Sequence, residues 1–303
     1  MFTQGCSERH LKHHMQAMPP ARLSLSSLFG RSRPVPVDAA EILRTEEARL
    51  RALIHDLPLE PRAKVQGELA RALASDALRI QTPRGSLQFA VFGETSGFRA
   101  RGLLTKQQHT IAWIDTFAPD STFWDIGANI GSYGLYAALR PDMRVVAFEP
   151  AAVNYFLLAA NCELNAFGER MDCLQVGVGP GRSVGHVELS QFAPAHSFSF
   201  HAKGRHPAGS RQACLVVSMD ELIRDYGVPC PNYVKIDVPA MTDGIIEGAA
   251  ATLQRPELRE LHIEASETSK GGRRVVELLA QNGFGIAARH THGDTTDLTF
   301  SRQ

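Results

Sequence analysis

Long apolar runs are missing from this chain. No window reaches 18 consecutive apolar residues, so the sequence offers no candidate membrane-spanning helix. The opening MFTQGCSERHLKHHM lacks the continuous apolar stretch of a secretory signal, and the expected compartment is the cytoplasm. An excess of charge of one sign is missing too. Lys and Arg number 32 against 32 Asp and Glu, so no broad basic field points to nucleic acid or an anionic membrane. Cysteine is sparse. Cys6, Cys162, Cys173, Cys214 and Cys230 are odd in number, widely spaced and without a C-x-x-C pair, which fits neither a disulfide framework nor a cysteine zinc site. They read as reduced thiols, and no metal is expected. His10, His13 and His14 have no carboxylate or cysteine partner nearby and read as a polar tail. What remains is a 303-residue chain with 44% apolar content, enough to bury a sizeable core around small-molecule chemistry.

Residues 1–37, rich in Pro, Ser and Arg, read as a flexible leader. Residues 38–80 read as a helical hairpin. Asp38 stands three residues before Glu41, and Ile42, Leu50, Leu53, Ile54 and Leu57 follow at helical spacing. A second helical pattern runs from Pro61 to Leu78. The hairpin either packs on the main domain or pairs two copies of the chain as a homodimer. Residues 81–303 form the main domain. After GSLQFAVF, which has strand periodicity, the chain alternates strand-like and helix-like segments: TFWDIG, MRVVAFEP, ACLVVS, NYVKIDV and LRELHIEA each precede a helical pattern. Such alternation implies an α/β fold whose mostly parallel sheet is covered by helices on both faces. The end, FGIAARHTHGDTTDLTFSRQ, reads as a hairpin.

In an open parallel sheet, ligands sit outside the carboxyl ends of the strands. The first such strand delivers Asp125, Gly127, Asn129 and Gly131 in D-x-G-x-N-x-G, and the second delivers Glu149, 22 positions beyond Gly127. That spacing suits an acidic side chain on ribose hydroxyls. A dinucleotide would require G-x-G-x-x-G, and Asn129 and Ser132 stand where its glycines belong. No G-x-x-x-x-G-K-[ST] occurs, which excludes a P-loop. Charge separates the remaining ligands. A unit charge about 4 Å away at an effective dielectric of about 20 is worth roughly 4 kcal/mol. From Asp125 that interaction repels a pyrophosphate and attracts a ligand carrying an ammonium and a sulfonium, such as S-adenosylmethionine.

With those residues in place, the stretch from Thr82 to Phe284 resembles the FkbM-type family of S-adenosylmethionine-dependent methyltransferases. The landmarks are TPRGSLQF, WIDTFAPDSTFWDIGANIGSYGLYAA, VVAFEP, SMDELI, PNYVKIDV, IIEGAAATL and LHIEAS. The resemblance implies the class I methyltransferase (Rossmann-like) fold, a seven-stranded sheet with its last strand antiparallel. By motif position it places Asp125, Gly127, Asn129 and Gly131 along methionine and adenosine, Glu149 on the ribose, and Gln175 to Val178 beside the adenine. It also implies a saccharide or another secondary metabolite as methyl acceptor. One departure stands out: where similar proteins continue K-I-D-V-[DE]-G-x-E, this chain reads KIDVPAMTD, with Pro239 and Ala240 replacing the acidic-glycine pair.

Methyl transfer to a hydroxyl depends mainly on alignment, which contributes about 7 to 11 kcal/mol. A general base adds roughly 10²- to 10⁴-fold. Asp237, ending the fourth strand beside the glycine turn, is the leading candidate for base or substrate anchor, with Lys235 and Glu264 as neighbours at the same mouth. The segment FAPAHSFSFHAKGRH suits a substrate lid, with His196 and His201 as further candidate bases. The expected function is S-adenosylmethionine-dependent O-methylation. The alternative is a methyltransferase-like binding or scaffold protein whose VPAMTD loop has lost catalysis.

Overall fold

In the computed structural model, residues 59–303 are described except for 76, 190–194, 196–198, 202–209, 239–240, 266, 268 and 293–294, together with a few positions between 45 and 58. The leader and most of the first hairpin helix lie outside the described residues. The second hairpin helix is α1, Leu59–Ser75. It stops short of the expected Leu78 because Leu78–Thr82 is a strand, β1, which pairs antiparallel with β2, Gly85–Phe89.

Two short helices follow, α2 (Glu94–Arg101) and α3 (Gln108–Asp115). Strands β3 (Thr122–Ile126) and β4 (Arg144–Phe148) then alternate with α4 (Ser132–Ala138) and α5 (Ala152–Leu164), and β5 (Met171–Leu174) closes the first half. The second half contributes β10 (Tyr233–Ile236), α7 (Thr242–Glu247), β11 (Glu260–Glu264), α8 (Lys270–Gln281), β12 (Phe284–His292) and β13 (Thr295–Arg302). These seven strands form one sheet in the order β12-β13-β11-β10-β3-β4-β5. Only β13 runs antiparallel to its neighbours. The fold is therefore the expected class I, Rossmann-like one. Successive β3 residues face opposite cores: Phe123 joins the cluster under α3, α4 and α5, while Trp124 and Ile126 join the one with α8. Strand order reverses at β3 and β10, and the crevice between their carboxyl ends is where such sheets take ligands.

One expected member of the sheet lies elsewhere. ACLVVS belongs to β9 (Ser210–Val217), which joins β6 (Gly177–Val178), β7 (Ser183–Leu189) and β8 (Ser199–His201) in a separate four-stranded sheet, antiparallel except where β6 meets β9. The reason is visible in its burial: Arg211 to Leu215 alternate exposed and half-buried, and Leu215 is 66% exposed. A strand inside a parallel sheet must bury both faces. The helix after β9, α6 (Met219–Tyr226), starts with a capping box in which Ser218 accepts from the Glu221 N–H. The helical pattern MTDGIIEGAAATLQ is shorter than its text suggests. It ends as α7 at Glu247, followed by a 3₁₀ turn at Thr252–Gln254, and Gly248 between them packs against the Gly179 carbonyl where a Cβ would lie at 2.3 Å.

Candidate functional site

The glycine turn between β3 and α4 is built from three consecutive requirements for positive φ. Gly127, Asn129 and Gly131 have φ of 82°, 53° and 87°. The Gly127 and Ala128 N–H groups both donate to the Phe148 carbonyl at 3.0 Å, which ties the turn to the end of β4. At Gly127 the backbone just past β10 comes so close that a Cβ would sit 2.6 Å from the Asp237 carbonyl oxygen. Gly131 caps α4 in the left-handed conformation, and a Cβ there would meet Leu158. Gly127→Ala is expected to cost about 2 kcal/mol or more, from the left-handed strain and the backbone clash together, read as a lower midpoint in thermal or urea unfolding.

Both sequence-predicted carboxylates flank this turn, in different ways. Glu149, 5% exposed, accepts from the Asn129 N–H at 2.9 Å and from the Ala151 N–H at 2.8 Å. Burial pushes its carboxyl up to about 7, against the lowering effect of those two N–H groups and of Arg99. Asp125 lies beneath the turn. Its Oδ2 accepts from the Gly134 N–H at 3.0 Å inside α4, and its buried Oδ1 has no hydrogen-bond partner among the described residues. Burial raises its pKa, and the Lys235 ammonium and the Gly134 N–H oppose that rise. Beside Glu149 opens a narrow apolar cleft of about 20 Å³, lined by Ile126, Gly127, Phe148, Pro150, Val176 to Val178 and Val238. Val178 and Gly127 thus border one cavity, at the carboxyl ends of β3, β4 and β10.

Asp237 directly follows β10, next to Gly127. It leaves the cap of α7 to Met241 and pairs with Lys235 Nζ at 3.2 Å, with about a third of its side chain exposed. Burial would raise its pKa, but Lys235 outweighs that and holds it below the usual carboxylate range. Lys235 is 4% exposed and lies 4.9 Å from the Tyr133 ring centre. Glu264 ends β11 at the same edge, opposite Asp297 of β13.

The register reveals something no local motif indicated. Asp125, Lys235, His262 and Thr299 are direct cross-strand neighbours on β3, β10, β11 and β13, so a row of four buried polar residues crosses the sheet on the face covered by α3 and α4. His262 lies 3.1 Å from Thr110 Oγ1 and 3.0 Å from Thr299 Oγ1, and it stacks on Trp113. Burial, with the nearby Lys235 charge, pushes its imidazole down to about 3, so the ring is neutral. One level nearer the mouth, Asp297 accepts from Gln107 at 3.4 Å and meets His109 Nε2 at 2.5 Å, and Tyr133 donates its hydroxyl to Gln107 Oε1. A polar residue inside the apolar strands LHIEA and TTDLTF was the only trace of this in the text.

Arg99 of α2 is a second residue that sequence reasoning missed, since its charge reaches both Glu149 and Asp237. Its guanidinium donates to the Ala195 carbonyl, and the Ala195 N–H donates to Asn154 Oδ1 at 2.7 Å. The lid segment is therefore tied, at its one described residue between 190 and 198, to α2 and α5. His196 lies outside the described residues, as do Pro239 and Ala240, and His201 lies on β8 opposite His186.

The sequence model of the Methyltransferase FkbM domain matches residues 125–286. The chain is 25% identical over 219 residues to the hexuronic acid methyltransferase AglP of Haloferax volcanii, spanning 67% of this chain and 84% of that protein. It is 24% identical over 234 residues to the 31-O-demethyl-FK506 methyltransferase FkbM of Streptomyces tacrolimicus, spanning 69% and 89%. The crystal structure of methyltransferase FkbM from Methylobacillus flagellatus overlaps 61% of this chain and 44% of that one, with 18% identity and a TM-score of 0.42.

Proposed function

The chain belongs to the FkbM methyltransferase family and is a methyltransferase, and on that premise we propose that it methylates a hydroxyl of a saccharide or another secondary metabolite with S-adenosylmethionine. The observation that carries this reading is the buried Glu149 carboxylate at the tip of β4, bonded to the glycine turn, with its chain neighbours Phe148 and Pro150 lining the apolar cleft. The residues fit that donor. Asp125 keeps a buried carboxylate oxygen in reserve beneath the turn, which favours a cation above it, and Ile126, Phe148 and Val176 to Val178 offer apolar surface on which a purine could lie.

When bound, S-adenosylmethionine supplies a methyl group already activated on a sulfonium. Glu149 holds ribose hydroxyls, and Asn129 and Gly131 shape the turn that admits the rest. Asp237 accepts a hydrogen bond from the acceptor hydroxyl, and Lys235 keeps it ionised for that purpose. Glu264 anchors a second acceptor oxygen at the mouth. The acceptor class draws support from the relatives, one named for a hexuronic acid and one for 31-O-demethyl-FK506. No described helix is long and apolar enough to cross a membrane.

The test is transfer of an isotopically labelled methyl group to pooled glycans and small metabolites. Wild type is expected to label at least one pool, and Asp237→Asn to lower kcat about 10²- to 10⁴-fold with donor affinity nearly unchanged. Donor binding with no labelling of any pool would instead support a cofactor-binding scaffold.

A further inference from the structure

Three side chains with metal-ligating chemistry converge at the mouth of the sheet, and the methyl transfer described above uses none of them. His109 comes from the first turn of α3, His262 from the middle of β11 and Asp297 from β13. One donor atom of each lies within 4.8 Å of the other two. His262 and Asp297 are buried, and the His109 side chain is 16% exposed, so the cluster meets solvent at His109.

We propose that His109, His262 and Asp297 form a site for one divalent first-row transition cation, zinc by preference. Two imidazoles and a carboxylate are a borderline donor set that suits such ions and leaves at least one coordination position open. Each donor is already oriented by a further partner, as ligands of built metal sites are. His262 Nδ1 lies 3.0 Å from Thr299 Oγ1, which leaves Nε2 directed toward α3, where Thr110 stands at 3.1 Å. Asp297 is held by Gln107, which Tyr133 holds in turn. The His109 ring stacks on His290 at 4.5 Å and 15°. A hydrogen-bonded His–Asp pair accounts for one imidazole beside this carboxylate, and a second, buried imidazole lies within reach of the same atoms. Donors about 2.0 to 2.2 Å from a zinc ion sit roughly 3 to 3.5 Å apart, so the widest separations, up to 4.8 Å, must close and the 2.5 Å His109–Asp297 pair must open, both by imidazole rotation.

The experiment uses the full chain, stripped with a chelator and carrying His10→Ala, His13→Ala and His14→Ala so that the tail cannot bind metal. Titration with CoCl₂, followed by visible absorption, and with ZnCl₂, followed calorimetrically, is expected to saturate at one equivalent. His109→Gln and Asp297→Asn should each weaken binding by about tenfold or more. Unchanged circular dichroism and midpoint without metal show that a variant is folded; should Asp297→Asn fail that check, His109→Gln, at the rim, decides alone. No saturation below about 1 mM, or undiminished affinity in the folded variants, overturns the site. Methyl donor is absent throughout, so the outcome is separate from that of the methyl-transfer reading.

Discussion

Lys235→Met is expected to lower the unfolding free energy by about 3 to 5 kcal/mol at neutral pH, because it removes one partner of a buried charged cluster and leaves the others behind. The ammonium is 4% exposed, lies beside Asp125 across the β3–β10 register and sits 3.2 Å from Asp237. Burial by itself would lower its pKa, yet the two carboxylates outweigh burial and hold it above the ordinary lysine range. Methionine fills the same space under Tyr133 without the charge. Asp125, already raised by burial, would then lose the main interaction that opposes the rise. Protonation is its remedy, so the variant should recover part of its deficit as pH falls from about 7.5 to about 5.5. Urea midpoints at those two pH values check both halves. A loss below about 1 kcal/mol that is the same at both would show that the cluster is wet or already neutral.

Glu149→Gln should separate fold stability from donor binding. The carboxyl titrates near 7 in the folded chain and near its ordinary 4.5 when unfolded, with burial as the cause. Between those values the unfolded chain has released a proton that the folded chain still holds. Its contribution to stability is therefore full below about 4.5 and declines as pH rises, by up to about 3 kcal/mol once pH passes 7. His262 acts with the opposite sign. Its folded value near 3 lies below the ordinary 6.5, so its contribution is full above about 6.5 and is lost as pH falls toward 3. The wild type should accordingly show a shallow pH profile between 4.5 and 7, and Glu149→Gln, keeping only the His262 component, a steeper acid loss. Donor binding needs the ionised carboxylate for the ribose hydroxyls. Wild-type affinity for S-adenosylhomocysteine should thus rise about tenfold per pH unit up to about 7 and level off above it. The glutamine variant should bind at least about tenfold more weakly and without that rise. Thermal midpoints with and without ligand across pH 5 to 8.5 give both results.

Much of this was legible because the information is local. D-x-G-x-N-x-G declares a turn that only glycine or asparagine can make, and the three positive φ values sit at Gly127, Asn129 and Gly131. Alternating segments gave the parallel sheet, and Glu149 at the tip of the second strand gave the edge of the cleft. Other features were hidden for physical reasons. β9 carries an apolar run, ACLVV, which reads like a core strand until Leu215 is found facing out. The row Asp125, Lys235, His262 and Thr299 spans 174 positions of chain and exists only through the pairing register. Arg99 reaches the site from a helix with no motif of its own. Asp125 also supports the turn from below through Gly134, which the motif alone did not indicate.

Isothermal titration of S-adenosylmethionine and S-adenosylhomocysteine at about pH 8 into the wild type, Asp125→Ala and Glu149→Ala reports on the pocket most directly. One saturable site is expected in the wild type, with each variant weaker by at least tenfold, about 1.4 kcal/mol. Equal affinity in all three proteins, or no binding to the wild type, would contradict the placement of the donor between the glycine turn and the tip of β4.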